Sequence, residues 1–141
     1  MIKSLVAVFA VIASGAAWNA TAQDANNPLL GTWELVKSRA GEAKDYTDAP
    51  KQRRELALYT PTYFVVVNYD TTTKKAGAGL GGRYAIAGED YREIIEFPAV
   101  RGKALTGNTN IFKVRFEGDR FTKTGTLSSG REISEVWQKV K

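Results

Sequence analysis

From Gly31 to the C-terminus the apolar residues recur with period two, in short runs broken by Gly, Pro, Asp and Thr. Phe112-Lys113-Val114-Arg115-Phe116 is the cleanest run: every second residue is aromatic or aliphatic and those between are cationic. Successive side chains of an extended strand point to opposite faces, so this spacing makes one apolar and one polar face. No long window carries the 3.6-residue period of an amphipathic helix. Such a chain must bury its apolar faces by pairing strands, and many short strands without helices point to a closed barrel or a sandwich.

Eight strands are expected, at about 31–38, 53–59, 62–69, 81–87, 91–97, 110–116, 119–127 and 132–140. They are rich in Val, Ile, Tyr, Phe and Thr, which suit a pleated, half-buried surface. Tyr59-Thr60-Pro61-Thr62, Gly88-Glu89-Asp90 and Glu117-Gly118-Asp119 read as tight links between consecutive strands. Three longer connections, 39–52, 70–80 and 98–109, suit the rim of a mouth, and the first has room for one helical turn. The expected architecture is an all-β, eight-stranded antiparallel up-and-down barrel, one domain over residues 23–141.

The N-terminus is read separately. Met1-Ile2-Lys3 gives a positive start, Leu5 to Ala13 is a short apolar run, and Ala20-Thr21-Ala22 is a small-x-small cleavage site. That is the pattern of a secretory signal peptide over residues 1–22, too short to remain as a membrane span. Export to the periplasm or beyond, with cleavage near Ala22, is the expectation. The Asn19-Ala20-Thr21 sequon falls inside this segment. The chain has no Cys, so an exported form stands without disulfides or a cysteine-linked lipid, and no stable membrane insertion is expected. It has no His, which excludes the Ser-His-Asp triad and imidazole as a general base.

Alternation assigns the lumen. Trp33 and Leu35 face in on the first strand, with Thr32, Glu34 and Lys37 toward solvent. Leu56 and Leu58 on the second bring Arg54 with them. Phe64 and Val66 on the third bring Asn68. Tyr84 and Ile86 face in on the fourth, and Tyr91, Ile95 and Phe97 on the fifth bring Glu93. Phe112, Val114 and Phe116 fill the sixth, and Ile133 and Trp137 on the last bring Glu135. The informative members are those drawn inward against their polarity. A buried charge costs several kcal/mol unless paired, and one Arg against two carboxylates makes a paired network. That network either closes one end of the barrel or lines a ligand pocket near the mouth.

Other signals carry less. Gly77-Ala78-Gly79-Leu80-Gly81-Gly82 matches G-x-G-x-x-G, but a Thr/Lys turn precedes it and a strand follows, so it reads as a flexible loop and not a dinucleotide site. Asp45, Asp48, Asp70, Glu89, Asp90 and Asp119 lack the spacing of a calcium loop, and no metal site is expected. The formal net charge of +5 is interspersed, with no basic block beyond Lys51-Gln52-Arg53-Arg54, which argues against a nucleic-acid partner.

Leu30-Gly31-Thr32-Trp33-Glu34-Leu35 resembles the G-x-W start of the lipocalin and calycin barrels. The chain is more closely similar to small bacterial lipocalin-like domains of exported proteins, mostly of unknown function. Thr60-Pro61-Thr62-Tyr63-Phe64, Gly81-Gly82-Arg83-Tyr84, Tyr91-Arg92-Glu93-Ile94-Ile95-Glu96, Gly118-Asp119 and Glu135-Val136-Trp137 follow in the same order. It departs from them at Tyr63, where related sequences often carry His. The resemblance implies an up-and-down barrel with a lumen for a small apolar ligand, and implies no reaction.

The leading expectation is a barrel that binds or carries a small hydrophobic or amphipathic molecule without a cofactor. Arg54, Phe64, Asn68, Tyr84, Tyr91, Glu93, Phe112 and Glu135 are its candidate contacts, Arg54 pairing with an acidic group. The alternative is a lyase, isomerase or cyclase with Glu93 or Glu135 as base and Tyr84 or Tyr91 as acid. A third is an envelope interaction protein without a ligand, marked by an exposed apolar patch.

Overall fold

The computed structural model describes residues 26–98 and 106–141, and the segment expected to be a signal peptide and part of the 98–109 connection lie outside them. Nine strands run in chain order: β1 (Gly31–Ala40), β2 (Thr47–Asp48), β3 (Arg53–Tyr59), β4 (Tyr63–Asp70), β5 (Ala76–Ala87), β6 (Asp90–Pro98), β7 (Thr109–Glu117), β8 (Arg120–Thr126) and β9 (Glu132–Lys139). From β3 to β9 each strand pairs antiparallel with the next, and β1 pairs with both β3 and β9. The sheet thus closes into an eight-stranded barrel, with β2 a two-residue strand that pairs with Lys37 and Ser38 on the β1 edge that β3 takes at Gly31–Glu34. Closure removes the unpaired edges that an open sheet would expose. Gly88 and Gly118, both at φ 61°, take the left-handed position in the β5–β6 and β7–β8 hairpins, where a side chain would be strained.

Connectivity gives the barrel two unlike ends. The tight hairpins at 60–62, 88–89 and 118–119, the residues that lead into β1 and those that follow β9 gather at one. The connections after β1, β4, β6 and β8 gather at the other.

Four expectations need correction. The 39–52 segment holds β2 and a turn and no helix. The glycine-rich stretch is not a loop: β5 begins at Ala76, and its glycines let the strand lie close against β4, where a Cβ on Gly79 would crowd Val66 O. The third correction reverses a face. Trp33 faces in, and its cross-strand partner is Ala57, so β3 turns Glu55, Ala57 and Tyr59 inward and Arg54, Leu56 and Leu58 outward. Leu58 is 40% exposed while Ala57 is fully buried. Arg54 therefore leaves the lumen and forms an external fork on Glu34, at 2.7 and 2.5 Å, with the Tyr69 hydroxyl at 3.3 Å. Last, a bulge opposite Gly81–Gly82 adds Glu96 as an extra residue, so Ile95 pairs with Gly82 but Phe97 pairs with Gly81 and points out, 45% exposed.

Candidate functional site

The hairpin end is sealed. Leu29 is fully buried, its carbonyl accepts from Trp33 Nε1 at 2.7 Å, and its amide donates to Asn27 Oδ1 at 3.0 Å. Asn27 Nδ2 donates to the Tyr84 hydroxyl at 2.7 Å, which in turn donates to Thr60 O at 2.7 Å. Trp33 packs edge-on against Phe121 at 4.7 Å between centroids, and Tyr59 packs edge-on against Tyr84 at 5.2 Å. Each buried polar group here has its partner, so the aromatics close the floor without an unpaired dipole. The Lys139 ammonium covers the Trp33 ring from outside at 5.1 Å.

The other end is charged. Lys123 on β8 is 5% exposed, lies 3.1 Å from Glu135 Oε2, and stands over the rings of Phe112 at 4.8 Å and Trp137 at 5.8 Å. The same Glu135 oxygen accepts from Trp137 Nε1 at 3.1 Å. Glu93 on β6 is 4% exposed and accepts from the Tyr91 hydroxyl and from Asn110 Nδ2, both at 3.1 Å. Asn110 is fixed in turn by Ser128 N, which donates to its Oδ1 at 2.8 Å. Glu55 on β3 shares the lumen, and none of the hydrogen bonds or ion pairs among the described residues takes up its carboxylate.

Above this network opens a cavity of about 340 Å³. Val66, Leu80, Leu127, Ile133 and Trp137 give it apolar walls, and Glu55, Glu93, Asn110, Lys123 and Glu135 its polar base, with Ser38, Ala40 and Arg131 along the rim. Arg39 borders it by position only. Its guanidinium turns outward over the Tyr46 ring and donates to Lys44 O.

The titration of these groups follows from burial and neighbours. Burial alone would pull the Lys123 ammonium down, but Glu135, Glu93 and Tyr59 outweigh it and hold it well above the usual lysine range. Burial, then the Glu135 charge, pushes Glu55 above the usual carboxylate range. Burial raises Tyr59 to about 12 and Tyr91 well above the ordinary phenol. Lys123 is thus a fixed cation at neutral pH and a poor nucleophile.

The candidate residues fall into five places. Glu93 and Glu135 meet at the mouth cavity. Phe64, Phe112 and Tyr91 are core rings below it, exposed 0%, 1% and 1%, and Tyr84 belongs to the floor. Asn68 faces in at the mouth end of β4, its side chain over Gly77, outside the cavity lining. Arg54 is on the outer wall, so the partner expected for an acidic group is not in the lumen. Two residues were missed. Lys123 shares its face with Phe121, and that spacing was the available signal. Glu55 was hidden by the reversed face of β3. Among the described residues no group of three or more acidic side chains is placed to hold a metal ion.

No family model matches the chain, and none of the curated proteins is similar to it in sequence. Solved structures are similar in fold. A lipocalin-like protein from Bacteroides uniformis aligns at TM-score 0.56 and 15% identity, over 79% of this chain and 98% of that one. An uncharacterized protein from Bacteroides eggerthii aligns at TM-score 0.55 and 14% identity, over 79% and 99%. With the closed meander, the Trp33 floor and the open far end, these place the chain in the lipocalin-like fold: an eight-stranded antiparallel barrel with one sealed end and one open one.

Proposed function

We propose that the protein binds a small amphipathic molecule at the mouth of the barrel. The observation that carries this is the cavity of about 340 Å³, apolar on its walls and charged at its base. Small-ligand pockets have this make-up, a mostly apolar lining with a few convergent polar groups, and this size. The apolar part of the ligand lies against Trp137, Leu80 and Val66, and its polar part reaches toward Glu55, Glu93 and Glu135. Tyr84 is remote from this cavity, and the Tyr91 hydroxyl is engaged below Glu93 with its acidity lowered by burial. No observation therefore favours the acid–base alternative. The signal-like N-terminus supports a periplasmic or secreted place of action, and N-terminal sequencing of the protein from an envelope fraction should begin near Gln23.

Native mass spectrometry against a panel of small alcohols, amines and acids tests the reading. One-to-one complexes are expected, with quenching or enhancement of tryptophan fluorescence. Absence of any complex across the panel at millimolar concentration would defeat it.

A further inference from the structure

Resting on that reading of the mouth, we propose that the pocket selects ligands whose polar head is a cation, an ammonium or amidinium on a short apolar body. Among the described residues the lumen holds three carboxylates, Glu55, Glu93 and Glu135, against one ammonium, Lys123. Lys123 already engages Glu135, and Glu93 is served by the neutral donors Tyr91 and Asn110. Glu55 is left without a hydrogen-bonding partner among the described residues, at the base of a cavity walled by Trp137 and Val66. Among the described residues, an anionic head would meet three like charges and find the lumen ammonium of Lys123 already engaged by Glu135. A cationic head would supply the missing positive charge and could hydrogen-bond Glu55, in a partly desolvated site where such contacts are stronger than in water. Among the described residues the basic side chains near the mouth leave Glu55 without a bonded partner: Arg53, exposed at the start of β3, and Lys123 act on it only through space, the Arg39 guanidinium turns away to Tyr46, and Arg131 is exposed after the β8–β9 turn.

Three probes of matched size decide the matter at pH 7: phenethylamine, 2-phenylethanol and 3-phenylpropionate. The readout is the indole N–H resonance of Trp137 in two-dimensional NMR, with that of Trp33 on the floor as internal control. Phenethylamine should shift Trp137 and not Trp33, and bind at least about tenfold more tightly than the alcohol, the ratio of a charge contact worth about 1.4 kcal/mol. The carboxylate should bind weakest, and Glu55→Gln should bring the amine level with the alcohol. Equal affinities, or a preference for the carboxylate, would overturn the cationic assignment while leaving the pocket standing. No Trp137 shift with any probe would overturn both. The ranking on the wild-type protein is decisive by itself if Glu55→Gln does not fold.

Discussion

The floor and the mouth of this barrel are built from the same strands by opposite means. At the floor, rings fill the lumen and every polar atom is tied off: Trp33 to Leu29 O, Tyr84 to Thr60 O and Asn27. At the mouth, charges stand where rings would otherwise pack, and space remains among them. A strand cannot choose its inward residues singly, because alternation carries every second one in together. β6 therefore brings Tyr91, Glu93 and Ile95 into one lumen, β8 brings Phe121 and Lys123, and β9 brings Glu135 and Trp137. The difference between the ends lies in where along each strand the ionisable residue was placed. Buried charge paired in this way contributes little net stability and keeps a polar cavity from collapsing into a packed core.

Substitutions should separate the two ends, and the largest effect is expected at the floor. Trp33→Ala removes a buried ring and its hydrogen bond, and should cost about 3–5 kcal/mol in urea unfolding. Ligand binding by the molecules that remain folded should not change. A loss of binding in that fraction would show that the ends are coupled. At the mouth, Lys123→Met leaves Glu135 and Glu93 without their cation and should cost about 3 kcal/mol, most of it recovered by adding Glu135→Leu. If the double variant were no more stable than the single, the network would be a stabilising device and not a spacer.

A third effect follows from pH. The Tyr59 phenol is raised to about 12 in the folded protein, and the Lys123 ammonium is raised as well. For both groups the folded state holds the proton more tightly than the unfolded chain. Their stabilisation is complete below about pH 10 and is lost as pH climbs through the folded values. For Tyr59 the loss between about pH 10 and 12 is about 3 kcal/mol. Urea midpoints across that window should fall steadily, and Tyr59→Phe should remove the part due to the phenol. The smallest effect is expected on the outer wall. Arg54→Gln breaks an ion pair with Glu34 that is about a third exposed on each side, and should cost about 0.5 kcal/mol with no change in binding.

The barrel was legible from alternation because most strands have one face plainly more apolar than the other, as in β7. β3 was misread because both faces compete. Leu56 and Leu58 look the stronger core pair, yet the ring of Trp33 needs a small neighbour, and Ala57 lies opposite it. That single reversal put Arg54 where Glu55 stands, and it is why the head group proposed above is a cation and not an acid. Lys123 obeys the same rule that drew in Glu93 and Glu135, and was legible from Phe121 two residues before it. Phe97 was not, because its face is set by a bulge of one residue, to which a period-two pattern is blind.

The sealed end has one more consequence. Asn27 and Leu29 anchor the entering chain there, and Val140 N donates to Thr32 O at 2.9 Å as the chain leaves beside it. The molecule is a cup held by its base. A tag, a fused domain or a surface tether joined just ahead of Asn26 or behind Lys141 leaves the opening pointing away from its support, so an immobilised form should bind as the free protein does. A reporter dye is better set in the β8–β9 turn at 128–130, on the lip, where it would sense what enters without obstructing the hold.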